Sequence, residues 1–196
     1  MGYGVEIFGV LSGIIYLILE IKQNKFMWVV GVISALAYIF LFWESNLYGA
    51  MLLQFYYLII SVFGLYKWIE TKRLEGVGDG GEKVYEIFYR IPSLSVCLLS
   101  TLVAGLLFLF LYFFLGKFSS DSFPLMDSIT TALSIIATYW LSKLYREQWL
   151  IWVIVNVITL IMCLKSELYL SSMLYLVYTL SAVYGYWHWW KKGKKI

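Results

Sequence analysis

Apolar residues run through this chain in seven long stretches separated by short polar breaks. Runs of roughly 18 or more apolar residues are long enough to cross the hydrocarbon core of a bilayer as a helix. They fall near 4–22, 26–43, 48–69, 93–116, 127–143, 148–165 and 169–190. The fifth is short and opens on polar Asp127, Ser128, Thr130 and Thr131. The first is too long for the apolar region of a cleavable signal, and the two residues before it carry no charge, so it is expected to remain as a span. The pattern predicts an all-α membrane protein with seven transmembrane helices.

Composition sharpens this picture. Of the 196 residues, 62% are hydrophobic and 14% charged, and the mean hydropathy is +0.79. A soluble domain of this size carries about a quarter charged residues, so this chain lacks the surface that water requires. The net charge of +3 has a positional explanation. With the N-terminus outside, cytoplasmic segments hold Lys22, Lys25, Lys67, Lys72, Arg73, Lys83, Arg90, Lys143, Arg146, Lys191, Lys192, Lys194 and Lys195, which is 13 of the 15 basic residues. Lys117 and Lys165 alone fall outside. Such a split is the positive-inside bias, and it fits an odd number of spans with a cytoplasmic C-terminus. The basic excess is therefore assigned to the membrane surface and no nucleic-acid partner is expected.

Sliding the sequence on itself by 121 residues aligns 6–70 with 127–191 without a gap. Trp28 meets Trp149, Gly64 meets Gly185, Trp68 meets Trp189, Tyr48 meets Tyr169 and Tyr57 meets Tyr178, with Ser45/Ser166 and Leu47/Leu168 beside them. Glu6 meets Asp127, acid for acid. Each repeat holds three spans, and three spans turn the chain over. The extra span at 93–116 turns it back, giving two parallel repeats in a 3+1+3 plan that resembles SWEET-type transporters, with a substrate site expected at mid-membrane. The expected organisation is a first repeat at 1–70, a cytoplasmic linker at 71–92, and a linker helix with outer loop at 93–126. A second repeat at 127–191 and a basic cytoplasmic tail at 192–196 complete it. Within the linker, Gly76, Gly78, Gly80 and Gly81 lack the following Gly-Lys-Ser/Thr of a phosphate loop. Val84–Arg90 is expected as a helix on the membrane surface.

Candidate chemistry concentrates in Gln148-Trp149-Leu150-Ile151-Trp152-Val153-Ile154-Val155-Asn156. Helical spacing of i, i+3 and i+7 places Trp149, Trp152 and Asn156 on one stripe. An amide at that depth needs a partner, either another helix or a ligand. Read alone, Trp149 suits an interfacial anchor. Under the 121-residue shift Trp152 corresponds to Gly31 and Asn156 to Ala35, so one repeat is small where the other is large or polar. Gln54 diverges from Tyr175 in the same way. Gln54 and Asn156 with the Trp faces and the matched Tyr57 and Tyr178 suit a flat, polar, partly cationic ring that stacks and accepts orienting hydrogen bonds. Glu6 and Asp127 complement helix N-termini, Glu20 reads as interfacial beside Lys22, and His188 reads as part of an aromatic belt. Cys97 and Cys163 lie inside apolar runs and point to no disulfide or metal site. The nucleophile-plus-base pair of an enzyme is missing, as is any cofactor motif or proton relay.

The double-Trp run resembles the W-x-x-W-x-x-x-N signature of the PnuC vitamin transporters. Asp127-Ser128, Ala132-Leu133-Ser134-Ile135, Leu53-Gln54 and Gly64-x-Tyr66-x-Trp68 are also similar to that family. The resemblance covers nearly the whole chain. It implies a bacterial inner-membrane protein that takes up nicotinamide riboside through contacts at Trp149, Trp152, Asn156 and Gln54. It further implies facilitated diffusion, trapping by a cytosolic kinase, and a homotrimer. Thiamine-type members carry another flat aromatic cation, and Thr130-Thr131-Ala132-Leu133 is similar to them. A non-transporting membrane partner subunit is the alternative from a different class.

Overall fold

The computed structural model describes residues 2–44, 48–75, 87–118 and 123–196. Among them are seven helices: α1 (Gly2–Ile21), α2 (Phe26–Glu44), α3 (Tyr48–Glu75), α4 (Leu94–Phe118), α5 (Pro124–Ser142), α6 (Gln148–Lys165) and α7 (Tyr169–Lys192). Their limits track the seven apolar runs closely, and the sixth run coincides with α6. Two helices meet the length and apolarity of a membrane crossing, over Leu94–Phe114 and Gln148–Lys165, and shorter apolar helical stretches cover Leu11–Ile21 and Phe26–Phe40.

The outward faces are apolar. Leu11, Ile15 and Ile18 on α1, and Val29, Ile33, Leu36 and Phe40 on α2, are exposed at helical spacing. The same holds for Phe55, Ile59 and Val62 on α3, and for Met173, Leu176, Leu180 and Val183 on α7. A soluble helix points such a stripe inward. Here the stripe points away from the packed core, as a hydrocarbon environment favours.

The chain divides into two compact units, Met1–Ile87 and Phe88–Ile196. In the first, α2 packs on α1 and on α3. In the second, α4 packs on α5, α5 on α6 and α6 on α7. Shifting the first unit's helices by 121 residues brings the ends of α1 and α2 onto those of α5 and α6, and the start of α3 onto that of α7.

Sharp helix reversals hold each unit together. α1 ends on Gln23 at φ 49°, with Gln23 N–H donating to Glu20 C=O at 2.9 Å and Asn24 N–H to Leu19 C=O at 2.8 Å. α5 ends the same way on Leu144 at φ 62°, and α6 on Glu167 at φ 59°. These are left-handed helix terminations of the kind glycine usually supplies. Gln23 and Leu144 correspond under the 121-residue shift. Glu20 is buried beside the first turn (4% exposed), which corrects the interfacial reading.

α5 shows how polar residues serve packing. Thr130, Ser134, Thr138 and Ser142 are buried at four-residue spacing. Thr138 Oγ1 donates to Ser134 C=O at 2.8 Å and Ser142 Oγ to Tyr139 C=O at 2.7 Å. The hydroxyls of Thr130, Thr138 and Ser142 are satisfied on their own helix, and the small size of all four residues lets neighbouring backbones approach. Trp140 Nε1 donates to Ser100 Oγ at 2.9 Å, tying α5 to α4.

The all-α expectation needs one addition. Strand β1 (Ile87–Tyr89) pairs with β2 (Gly193–Lys195) in a two-stranded sheet. The surface helix expected over Val84–Arg90 is therefore absent from Ile87–Tyr89, while residues 84–86 lie outside the described residues. The Ile-Phe-Tyr sequence suits a strand, and all three residues are buried. The segment expected as a basic tail, 192–196, supplies the partner strand.

Candidate functional site

α6 carries the densest set of candidate residues. Trp149 and Asn156 are buried at 1% and 6% exposure, and Trp152 is half-buried on the same stripe. Trp149 is no interfacial anchor. A Cβ added at Gly185 on α7 would lie 2.7 Å from its ring, and Trp189 meets it edge-on at a centroid distance of 5.6 Å. Gly185 is thus the notch that admits Trp149 between α6 and α7.

The first unit builds the same joint. A Cβ at Gly64 would fall 2.5 Å from the Trp28 ring, and Trp68 meets Trp28 edge-on at 5.4 Å. All four indoles are almost fully buried. The Trp and Gly identities found by the 121-residue shift therefore have a packing cause.

Differences between the units begin one turn further along. Gly31 sits where α1, α2 and α3 converge: a Cβ there would lie 2.7 Å from Ser61 Oγ and 3.4 Å from Tyr16. Its missing side chain gives close packing on Ser61, a residue the sequence pattern does not single out. Ala35 is buried one turn later, at 2% exposure. On α6 the corresponding positions are Trp152 and Asn156. Gln54 and Tyr57 are half-buried on α3, with the Tyr57 ring 5.6 Å from Tyr56. On α7, Tyr178 meets Tyr175 edge-on at 5.8 Å.

The hydrogen-bond ledger marks α6. The indole Nε1 atoms of Trp149 and Trp152 are both buried and have no acceptor among the described residues. A buried indole N–H normally finds one, and leaving it unmade costs about 1–3 kcal/mol. Two such donors with a buried amide on one stripe form an arrangement that a ligand oxygen would complete. Trp28 Nε1 shares this condition in the first unit, but Gly31 and Ala35 give it no polar companions.

The remaining candidates have packing roles or lie outside the described side chains. Asp127 is half-buried in the first turn of α5, and the side chain of Glu6 is outside the described set. His188 stacks on Tyr184 at 5.5 Å. Cys97 and Cys163 are free thiols, and no cluster among the described residues could hold a metal ion.

Three comparisons bear on this arrangement. A family model described as nicotinamide mononucleotide transporter matches residues 3–191. The nicotinamide riboside transporter PnuC of Haemophilus influenzae is 29% identical over 186 residues, covering 94% of this chain and 78% of that protein. The protein of the same name from Escherichia coli is 25% identical over 200 residues, covering 92% and 82%. Among solved structures, the crystal structure of the vitamin B3 transporter PnuC superposes with a TM-score of 0.70 at 23% identity. That match covers 94% of this chain and 79% of the other, and supports the seven-helix fold. A family match across almost the whole length, joined to the double-Trp stripe on α6, places this chain in the PnuC family.

Proposed function

We propose that this chain is a multi-pass inner-membrane transporter that takes up nicotinamide riboside. The observation that carries the reading is the α6 stripe, where two buried indole donors lack acceptors beside the buried Asn156 amide. Nicotinamide riboside offers a flat cationic ring to the indole faces, and its carboxamide and hydroxyls offer the missing acceptors. Trp149, Trp152, Asn156, Gln54, Tyr57 and Tyr178 are the proposed contacts. Gly31 and Ala35 are the proposed small counterparts of Trp152 and Asn156.

The finer organisation belongs to the same proposal. α1–α3 and α5–α7 are two parallel repeats joined by α4 in a 3+1+3 plan, over the segment boundaries 1–70, 71–92, 93–126, 127–191 and 192–196. The coincident helix limits and the two matching Trp–Gly–Trp joints support it. The basic residues gathered at the odd-numbered turns and in the C-terminal segment support an outside N-terminus and a cytoplasmic tail. Transport proceeds by facilitated diffusion, with a cytosolic kinase converting the substrate into a charged phosphate that cannot leave. The working assembly is a homotrimer.

The test is a side-by-side titration of nicotinamide riboside and thiamine on the purified chain, followed by uptake in liposomes. Nicotinamide riboside should bind more tightly and equilibrate without an imposed gradient. Asn156→Leu should weaken its binding by about 5-fold to 150-fold, the equivalent of about 1–3 kcal/mol. Tighter binding of thiamine would reassign the substrate. Wild-type affinity in well-folded Asn156→Leu would move the site off α6, and absence of uptake by the purified chain would favour a partner-subunit role.

A further inference from the structure

The turn that leads into α6 holds an arrangement that the transport reading leaves unused. The guanidinium of Arg146 lies 5.0 Å from the ring centroid of Tyr89 on β1 and 4.8 Å from that of Tyr186 on α7. Its Nη2 also meets Glu147 Oε1 at 2.7 Å, with the two side chains only 11% and 20% exposed. The backbone is stitched at the same place. Arg90 N–H donates to Leu144 C=O at 2.8 Å, Arg146 N–H donates to Arg90 C=O at 3.2 Å, and Ile196 N–H donates to Tyr89 C=O at 3.0 Å. Segments from the linker, the α5–α6 turn and the C-terminal strand thus meet around one cation.

We propose that Arg146 is the positioning residue that fixes the depth and rotation of α6. The first turn of the helix hangs from it, since Trp149 N–H donates to Arg146 C=O at 3.2 Å. Arg146 and Trp149 then grip adjacent residues of α7, Tyr186 and Gly185. Two grips three residues apart, one in the turn before α6 and one in its first turn, leave little freedom to slide or turn. The consequence for a ligand follows from geometry. A rotation of about 20° displaces an atom about 6 Å from the helix axis by about 2 Å, which is enough to break a hydrogen bond. Trp152 and Asn156 are carried on this same rigid element.

The first unit lacks the device. Under the 121-residue shift Arg146 falls on Lys25, which is exposed, and Tyr186 falls on Leu65. α2 is instead started by Asn24 Oδ1 accepting from Phe26 N–H at 3.0 Å. Among the described residues, the ring-held guanidinium is found only in the turn that leads into the helix bearing the Trp and Asn side chains. A planar, weakly hydrated guanidinium can stack on ring faces while its N–H groups reach Glu147, whereas an ammonium is more strongly hydrated and lacks that planar fork.

The binding consequence rests on α6 being the substrate helix, so the experiment reads helix seating and ligand binding separately. Hydrogen exchange of the purified full chain should show residues 147–153 exchanging about 10-fold faster in Arg146→Lys and Tyr186→Leu, a loss on the scale of a half-buried cation–ring contact. Residues 26–32 should stay unchanged, and Tyr186→Phe, which keeps the ring, should behave as wild type. Nicotinamide riboside binding should weaken about 10-fold in the same two variants. Unchanged exchange over 147–153 in Arg146→Lys overturns the proposal. Faster exchange with unchanged binding also overturns it if Asn156→Leu binds poorly, because the site then does not sense helix seating. If Asn156→Leu binds normally as well, the substrate reading of α6 falls while the exchange result still upholds Arg146 as its anchor.

Discussion

The two Trp–Gly–Trp joints invite direct comparison. Trp28 with Gly64 and Trp68, and Trp149 with Gly185 and Trp189, have nearly the same geometry, with ring distances of 5.4 and 5.6 Å. A turn further along, Gly31 and Ala35 in one unit correspond to Trp152 and Asn156 in the other. At the turn before, an exposed Lys25 stands against an Arg146 held between rings. The joint is the same because it locks helix to helix, whatever else the unit does. The flanking positions differ because packing leaves them free, and chemistry can settle there.

Truncating the central indole breaks this comparison most severely. Trp28→Ala and Trp149→Ala should each cost about 3–5 kcal/mol, the range for emptying a buried Trp site. Thermal unfolding in detergent would measure both, and a large cost in one unit only would show that the joints are not equivalent. Filling the notch should have a smaller effect. Gly64→Ala and Gly185→Ala place a methyl within 2.5–2.7 Å of an indole, for an expected loss of about 1–3 kcal/mol each. Pairing each with Trp→Phe at its own joint should recover part of the loss, which a double-mutant cycle would read.

The smallest expected effect sits at the α6–α7 turn. Glu167 is exposed at φ 59°, where an ordinary side chain is strained. Its counterpart under the shift is Asn46, a residue type that tolerates that backbone region. Glu167→Asn should stabilise by about 0.5 kcal/mol, a fraction of the left-handed penalty. No gain in unfolding temperature would remove this turn from the comparison.

The helices were legible because apolar length is a local property that one stretch carries alone. The 121-residue shift picks out the Trp and Gly positions of both joints, since such matches are rare in so apolar a chain, but not that they pack on one another. What stayed hidden depends on residues far apart in sequence. Ile87–Tyr89 reads as a surface helix until its partner strand at 193–195 is known. Arg146 reads as one more cytoplasmic charge until Tyr89 and Tyr186 converge on it. Gly31 reads as open space until Ser61 is seen across from it. Glu20 reads as interfacial because burial at a helix reversal leaves no trace in hydropathy. On α6 the stripe itself was readable from spacing, whereas the missing acceptors for its indoles were not.

The pairing of helices within each unit has a consequence for how the protein is made. Among the described residues, the most extensive helix–helix packing in both units is between neighbours in sequence. Contacts of short sequence separation form fast and incur little loop-closure entropy. Each reversal at Gln23, Leu144 and Glu167 can therefore close into a helical hairpin soon after its second arm enters the bilayer. Nascent chains assembled this way hide their small-residue faces stepwise during synthesis, while the β1–β2 pair waits for the C-terminal strand.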